Sequence, residues 1–215
     1  MLEHKGLFIT FEGIEGCGKS TQAKLLKQYF TSMGKEVFLT REPGGPEISE
    51  KIRDILLEPE NKEMLPETEV LLYMASRSQH TGEWIIPLLN EGKVVISDRY
   101  YDSTIAYQGA ARKLNRNIID IIIDFATFGL EPDITFLIDL PADIGLSRIS
   151  IKDADRLERE SMDFHQKVRN GFLEIAEYEK KRYIVIDGRK NIEEIKKEVI
   201  KKIEDMIKEG RYEIK

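Results

Sequence analysis

Five short apolar runs recur along the chain, and longer stretches with helical patterning separate them. Short, nearly continuous apolar runs are typical of strands that are buried on both faces of a sheet. Strands that alternate with helices predict βαβ units and a parallel sheet. The pattern therefore predicts an α/β fold in which helices flank a five-stranded parallel sheet, with strands at 7–11, 36–40, 94–97, 134–138 and 183–186.

Helical patterning fills the intervals between these runs. Pro141 suits a first helical turn, and Gly34 and Gly92 suit helix ends that precede a strand. No repeat or linker interrupts the chain, which indicates a single domain over residues 1–215. The predicted helices cover 19–33, 47–57, 67–90, 102–127, 142–149, 157–181 and 191–209.

Composition excludes several classes of protein. Of the 215 residues, 41% are hydrophobic, which is enough for a substantial core. The net charge of −6 argues against broad binding to nucleic acid, so no nucleic-acid partner is expected. No stretch approaches the roughly 20 apolar residues of a membrane span, so no membrane association is expected. The single cysteine, Cys17, excludes an internal disulfide and predicts a reducing, cytoplasmic location.

Residues 13–20 read GIEGCGKS and match the pattern G-x-x-x-x-G-K-[ST], between a predicted strand and a predicted helix. Glycines let such a loop curl until its backbone N–H groups face phosphate oxygens at the helix N-terminus. Lys19 should bridge the β- and γ-phosphates of ATP, and Ser20 should bind Mg²⁺. The motif predicts a P-loop NTPase fold, with a glycine-rich turn that binds nothing as the alternative. The residues expected at ATP are Gly13, Glu15, Gly16, Cys17, Gly18, Lys19, Ser20 and Thr21.

Glu15 is an acid inside a loop that should hold phosphates. If its carboxylate pointed at the phosphates it would repel them, so we expect it to point towards a second ligand or a cation. A side chain that faces solvent is the alternative.

Charged residues follow the predicted strands at their carboxyl ends, the edge at which open α/β sheets bind ligands. Asp98 follows the strand at 94–97 and could hold Mg²⁺ or accept a proton from the acceptor. Arg41 and Arg99 also follow strand ends, and arginine forks match phosphate oxygens, although any single arginine is more often a surface ion-pair partner. Tyr73 and Arg77 are four residues apart and share one face of a predicted helix.

Together these segments resemble the thymidylate kinase family along nearly the whole chain. The similarity covers FEGIEGCGKST at the P-loop, TREPGG from Thr40, YMASR from Tyr73, DRY from Asp98, AYQG from Ala106 and GLEPD from Gly129. The resemblance implies an enzyme that transfers the γ-phosphate of ATP to dTMP with Mg²⁺, giving dTDP. It also implies a homodimer.

The resemblance implies roles for residues on the phosphate and sugar side of dTMP. Glu15 would meet the sugar 3′-hydroxyl, Arg41 and Arg99 would hold the phosphate, and Asp98 would lie near Mg²⁺. Pro43 belongs to the motif at 40–45 and is expected in the same substrate site.

Further roles concern the base. The resemblance implies that Tyr73 stacks on thymine, that Arg77 bonds its O4, and that Gln108 reads its N3 side. Thr104 and Tyr107 would line the sugar and base, and Tyr107 would leave little room for a ribose 2′-hydroxyl.

Members of the family place a transition-state arginine in the P-loop or in the lid, and Gly16 stands at the P-loop position here. Positive charge must then come from the densely charged lid at 149–159, where Lys152 stands at the position expected for arginine. A solvated loop is the alternative for this segment. We expect Arg156 or Lys152 at the phosphates and Arg148 beside adenine. Arg159 is a further candidate.

The sequence leaves other functions open. The nearest is a kinase for another nucleoside monophosphate or small acceptor. A GTPase-like switch or a non-catalytic nucleotide-sensing module is a second class, but the Asn-Lys-x-Asp guanine motif is absent from the sequence. A nucleic-acid-dependent ATPase fits poorly with the size and the net charge of −6.

Overall fold

The protein forms a five-stranded parallel sheet in the order β2-β3-β1-β4-β5. The computed structural model describes residues 4–150 and 154–210. Every strand lies within one residue of its predicted bounds, which confirms the α/β class. The strands are β1 Leu7–Glu12, β2 Val37–Arg41, β3 Val94–Asp98, β4 Ile134–Asp139 and β5 Tyr183–Asp187.

Helices cover both faces of the sheet. None of those in the described residues is long and apolar enough to span a membrane. Two wide π-helical turns, Thr81–Ile85 and Ile105–Ala111, continue the helices that precede them. The α-helices are α1 Lys19–Ser32, α2 Glu47–Leu57, α3 Pro66–His80, α4 Ile86–Asn90, α5 Tyr101–Thr104, α6 Arg116–Thr127, α7 Ala142–Ser147, α8 Met162–Tyr178 and α9 Ile192–Lys208.

Two predicted helices are corrected by the structure. The single helix predicted over 102–127 is interrupted, because Asn115 starts a new helix by accepting hydrogen bonds from the backbone N–H groups of Asn117 and Ile118. The helix predicted from 157 begins later, where the Ser161 hydroxyl accepts from the backbone N–H of Phe164 at 3.2 Å.

The register of the central strands decides where the site lies. Asp98 at the end of β3 pairs with Phe11 of β1 on one side and with Arg41 of β2 on the other. Since all the strands are parallel, the P-loop after β1, Arg41 and Asp98 meet at one edge of the sheet. Beneath them the core is aromatic, with the Phe11 and Phe136 rings stacked at 5.3 Å.

Candidate active site

The loop after β1 has the backbone of a phosphate cradle. Gly13, Gly16 and Gly18 take φ angles of 137°, 69° and 100°, which side chains with a Cβ rarely adopt. The side chain of Lys19 is buried, and its Nζ donates to the Ile14 carbonyl at 2.7 Å. The ammonium group is thereby held along the loop, where a bound phosphate would meet it.

A hydroxyl and a carboxylate meet beside this cradle. Ser20 Oγ donates a short hydrogen bond to Asp98 Oδ2. Oxygen ligands of this kind suit Mg²⁺, which usually takes one or two protein ligands and completes its shell with water and substrate phosphates. The described residues contain no cluster of three His, Cys, Asp or Glu side chains that could hold a metal ion.

Gly16 is fixed by its contact with α7. A Cβ at this position would lie 2.1 Å from the Gly145 carbonyl oxygen, and one at Gly145 would lie 2.5 Å from the Glu15 carbonyl oxygen. The backbone of the P-loop at Gly16 is therefore in direct contact with the backbone of α7 at Gly145. Arg148 Nη1 also donates a hydrogen bond of 3.0 Å to the Gly16 carbonyl. An arginine at position 16 would require α7 to move, which explains physically why this loop carries glycine.

A cavity of about 280 Å³ opens on one side of the P-loop. It brings together most of the residues expected around the acceptor. The predicted residues that line it are Glu15, Gly16, Lys19, Ser20, Arg41, Pro43, Tyr73, Arg77, Asp98, Arg99, Thr104, Tyr107 and Gln108.

A second hollow lies on the other side of the same loop. Apart from Gly13, the remaining residues expected at ATP line it, namely Cys17, Gly18, Thr21 and Arg148. Residues 188–193 also line it, from the loop after β5 into the first turn of α9, and sequence reasoning missed them. Gly13 lies behind the loop, where an added Cβ would meet the Ile138 carbonyl at 2.6 Å. The P-loop thus separates two spaces that both reach its phosphate cradle.

Arg99 ties the P-loop to the wall of the first cavity. Nη1 donates to the Gly13 carbonyl at 2.9 Å and to Ser103 Oγ at 3.1 Å. Nη2 donates to Glu15 Oε1 at 2.8 Å and to the Tyr107 hydroxyl at 3.0 Å. The guanidinium is therefore held on two sides, at the mouth of the phosphate cradle.

The carboxylate of Glu15 has Arg99 as a cation partner and lines the first cavity. Tyr107 donates a short hydrogen bond to Oε1, and His165 Nδ1 lies 3.4 Å from Oε2. Burial alone would raise the pKa of Glu15, but the charge of Arg99 and the proximity of His165 hold that pKa well below its usual range. Glu15 therefore stays ionised as an acceptor inside the cavity.

Arg77 also lines the first cavity, and its side chain is only 2% exposed. Its Nε donates to Glu42 Oε2 at 2.7 Å, Nη1 to Thr104 Oγ1 at 2.7 Å, and Nη2 to the Tyr100 carbonyl at 3.0 Å. His80 Nδ1 lies 3.0 Å from the other oxygen of Glu42. These contacts leave the planar face of the guanidinium in a fixed position at the cavity.

The side chain of Arg41 is 51% exposed, and its guanidinium pairs with Glu50 at 2.9 Å. A second arginine, which sequence reasoning missed, lies close to it. Arg53 on α2 lines the cavity and donates to the Pro43 carbonyl at 2.6 Å. Burial and then the charge of Arg41 lower its pKa. Helical spacing alone marks Arg53 as a surface residue, so only the fold could place it here.

The lid lies partly outside the described residues, and Lys152 is among those that are not described. Arg156 is buried and donates from Nε to the Leu56 carbonyl at 2.9 Å. Its Nη1 pairs with Glu69 at 2.6 Å, away from the P-loop. Arg159 donates to the Ala154 carbonyl at 2.8 Å. The phosphate roles of these cations stay predictions.

Glu12 at the end of β1 is a fully buried acid that sequence reasoning missed. Tyr100 N donates to its Oε1 at 2.7 Å, and Ser103 Oγ donates to its Oε2 at 2.6 Å. Burial and then the charge of Asp102 raise the pKa of Glu12 to about 7, against the opposing effect of Arg99. Asp98 was predicted in the site because it is an acid at the carboxyl end of a strand. Glu12 has the same position on β1, so the sequence could have indicated it.

The raised pKa of Glu12 gives stability a defined pH dependence. Between the ordinary value of 4.5 and about 7 the folded protein binds more protons than the unfolded chain, so the free energy of unfolding falls as pH rises. From pH 5 to pH 8 we expect the wild type to lose about 3 kcal/mol more than Glu12→Gln, whose side chain does not titrate. Urea denaturation of both proteins at the two pH values measures this difference, and equal losses would contradict it.

A P-loop with a cavity on each side defines a class. A protein built in this way is a P-loop phosphotransferase, which holds a nucleoside triphosphate on one side and a second phosphate-bearing ligand on the other. The thymidylate kinase family model matches residues 11–199 of the chain. The chain therefore belongs to the thymidylate kinase family, as its motifs predicted.

Individual relatives agree with this assignment. A thymidylate kinase of Carboxydothermus hydrogenoformans is 52% identical over 192 residues, covering 89% of this chain and 93% of the relative. One of Lactobacillus acidophilus is 47% identical over 207 residues, covering 94% and 96%. The crystal structure of thymidylate kinase from Ehrlichia chaffeensis is 37% identical and has a TM-score of 0.77, over 93% of this chain and 98% of that one.

Proposed function

We propose that this protein transfers the γ-phosphoryl group of ATP to dTMP and releases ADP and dTDP. The observation that carries the proposal is the position of Arg99, whose guanidinium bonds both the P-loop at Gly13 and the cavity residues Glu15 and Tyr107. A cation that lines the acceptor cavity and bonds the P-loop is what transfer between two polyanions requires. The family match and the named relatives support the choice of dTMP.

On the donor side, the phosphates of ATP lie on the backbone amides of the P-loop, with Lys19 at the β- and γ-oxygens. The adenine occupies the second hollow beside Arg148 and the segment 188–193. Ser20 and Asp98 would hold Mg²⁺. When bound, the ion offsets phosphate charge.

On the acceptor side, Arg99, Arg41 and Arg53 would hold the phosphate of dTMP. Arg41 is exposed and shares only an ion pair with Glu50, so it can turn towards a bound phosphate. Glu15 accepts from the sugar 3′-hydroxyl.

The base would lie against the far wall of the cavity. Tyr73 stacks on thymine, the locked Arg77 meets O4, and Gln108 meets N3. Tyr107 packs beneath the sugar, with Thr104 beside it, and Pro43 closes the mouth. The same residues make other monophosphates poorer acceptors.

The reaction needs no phosphorylated enzyme, because a phosphate oxygen of dTMP is itself a competent nucleophile. Lys19 and Arg99 align and neutralise the reacting oxygens. The lid at 149–159 closes over them, excludes water and brings Lys152 or Arg156 to the phosphates. For Arg156 this requires release from Glu69, to which it now pairs at 2.6 Å. We also propose that residues 1–215 form a single domain and that the protein is cytoplasmic.

Acceptor selectivity tests the proposed function. In an ADP-release assay with saturating ATP and Mg²⁺, we expect kcat/KM for dTMP to exceed those for dCMP and dAMP at least 100-fold, since a site with fixed polar groups rejects bases that leave them unpaired. Hydrolysis of ATP without dTMP is the background. Equal rates on all monophosphates would favour a kinase of broad specificity, and no stimulation by any of them would favour a nucleotide-sensing module.

The exposed face of α6 supports the homodimer that the family resemblance implied. Ile118, Ile121 and Phe125 follow one another at helical spacing and are 60%, 69% and 82% exposed. Leu71 on α3 and Phe128 extend the apolar surface at 59% and 50%. Apolar surfaces of this extent mark interaction sites, and a second copy of the chain is the partner that we propose.

A charge at the centre of this face should separate the subunits. We expect Phe125→Glu to elute as a monomer in size-exclusion chromatography with light scattering, while the wild type elutes as a dimer. Met33→Glu, at a position that is 47% exposed at the end of α1, is the matched control and should remain dimeric. A wild-type monomer, or a dimeric Phe125→Glu variant, would contradict the assignment of this face.

A further inference from the structure

Glu69 on α3 is fully buried, and three side chains converge on its two oxygens. Oε1 accepts from Gln108 Nε2 at 2.8 Å and from Arg112 Nε at 3.2 Å. Oε2 accepts from Arg112 Nη2 at 3.1 Å and from Arg156 Nη1 at 2.6 Å. Burial alone would raise the pKa of Glu69, but the hydrogen bonds from Arg112 and Gln108 and the arginine charges lower it. Glu69 is therefore an ionised group that only accepts hydrogen bonds.

An ionised carboxylate decides which way a neighbouring amide faces. Gln108 must turn its NH₂ group to Glu69, because its carbonyl oxygen would be repelled there. The amide plane then directs Oε1 away from Glu69, and this oxygen has no hydrogen-bond partner among the residues that the structure describes. Gln108 lines the acceptor cavity together with Tyr73 and Arg77. The carboxylate thus leaves an acceptor, and not a donor, available to a bound base.

We propose that Glu69 is a positioning residue that sets base selectivity by fixing the orientation of the Gln108 amide. The inference rests on the proposed function. A carbonyl oxygen presented at the N3 side of the base accepts from the N3–H of thymine. Cytosine carries a lone pair at N3, so the same oxygen would repel it. Glu69 does not touch the substrate, and its charge affects base selectivity only by orienting the Gln108 amide.

The isosteric variant Glu69→Gln tests this role. A neutral amide at position 69 can pair with either end of the Gln108 amide, so Gln108 becomes free to flip. We expect the ratio of kcat/KM for dTMP to kcat/KM for dCMP to fall about tenfold, the value of one hydrogen bond gained or lost. Effects on the lid through Arg156 act on both nucleotides and cancel in this ratio. A purely structural role for Glu69 would lower both activities and leave the ratio unchanged, which would overturn the proposal.

Glu160→Gln is the matched control. It removes a carboxylate that pairs with Arg112 at 2.7 Å in the same ion-pair cluster, without touching Gln108. Its selectivity ratio should equal that of the wild type. A fall equal to that of Glu69→Gln would show that the cluster matters only through its charge, and would overturn the proposal.

A double-variant cycle separates action through Gln108 from direct effects. In a Gln108→Ala background, Glu69→Gln should leave the selectivity ratio unchanged, because there is no amide left to orient. A further loss of selectivity in that background would overturn the proposal. Failure of the proposed function would be recognised separately, since the wild type would then show no preference for dTMP at all.

Discussion

Lys19→Met is expected to lower kcat about 1,000-fold, because it removes the buried cation that meets the charge that develops on the transferred phosphoryl group. In the present structure the ammonium group is held at the Ile14 carbonyl, 2.7 Å away, so it is already positioned along the cradle. Methionine keeps the length of the side chain without the charge. The measurement is the rate of ADP release at saturating ATP and dTMP.

Lys24→Met is the control for Lys19. It removes an exposed lysine from the same helix, α1, and should keep the wild-type kcat. Circular dichroism of both variants shows whether the fold is retained. A Lys19→Met variant that is folded and within tenfold of the wild-type rate would contradict the role given to Lys19.

Arg99→Ala should lower kcat/KM for dTMP about 1,000-fold, since Arg99 lines the acceptor cavity and donates to the P-loop carbonyl of Gly13. The variant also leaves the carboxylate of Glu15 without its cation partner, at 2.8 Å, in a largely buried position. Breaking such a pair destabilises proteins by about 3 kcal/mol, so thermal unfolding should move to lower temperature as well.

The variant Arg99→Lys distinguishes the effect of the positive charge of Arg99 from the effect of its planar guanidinium group. Lysine restores a positive charge but cannot bond the Gly13 carbonyl and Glu15 at once through two arms of a planar fork. We expect it to recover most of the stability and only part of the activity. Full recovery of kcat/KM would mean that Arg99 acts as a charge alone, and an alanine variant with unchanged kcat/KM would contradict its place at the reacting phosphates.

The fold could be predicted from the sequence because its strands are short apolar runs. Such runs are buried only in a sheet that has helices packed on both faces. The same reasoning found Asp98 and Arg41, since residues that follow parallel strands meet at one edge of the sheet. Gly16 could be identified from the sequence as a position that lacks an arginine. The reason that it must be glycine, the carbonyl of Gly145 at 2.1 Å from any added Cβ, belongs to tertiary packing.

Residues whose contacts are distant in the sequence could not be predicted. Arg53 occupies an ordinary position on an amphipathic helix and reaches the site only because α2 packs beside the cavity. The pairing of Arg156 with Glu69 joins residues 87 positions apart, which periodicity cannot foresee. The break in the helix predicted over 102–127 was locally marked, by an asparagine that suits a helix N-cap, and could have been recognised from the sequence.

One P-loop passes a phosphoryl group between two bound nucleotides, and this transfer can be followed with ATP labelled at the γ-phosphate. The protein is incubated with the labelled ATP, dTMP and Mg²⁺, and the nucleotides are then separated. We expect the label to appear in dTDP in equal amount to the ADP released, and Lys19→Met to form almost no labelled dTDP. Label recovered as inorganic phosphate while dTMP stays unchanged would show hydrolysis in place of transfer.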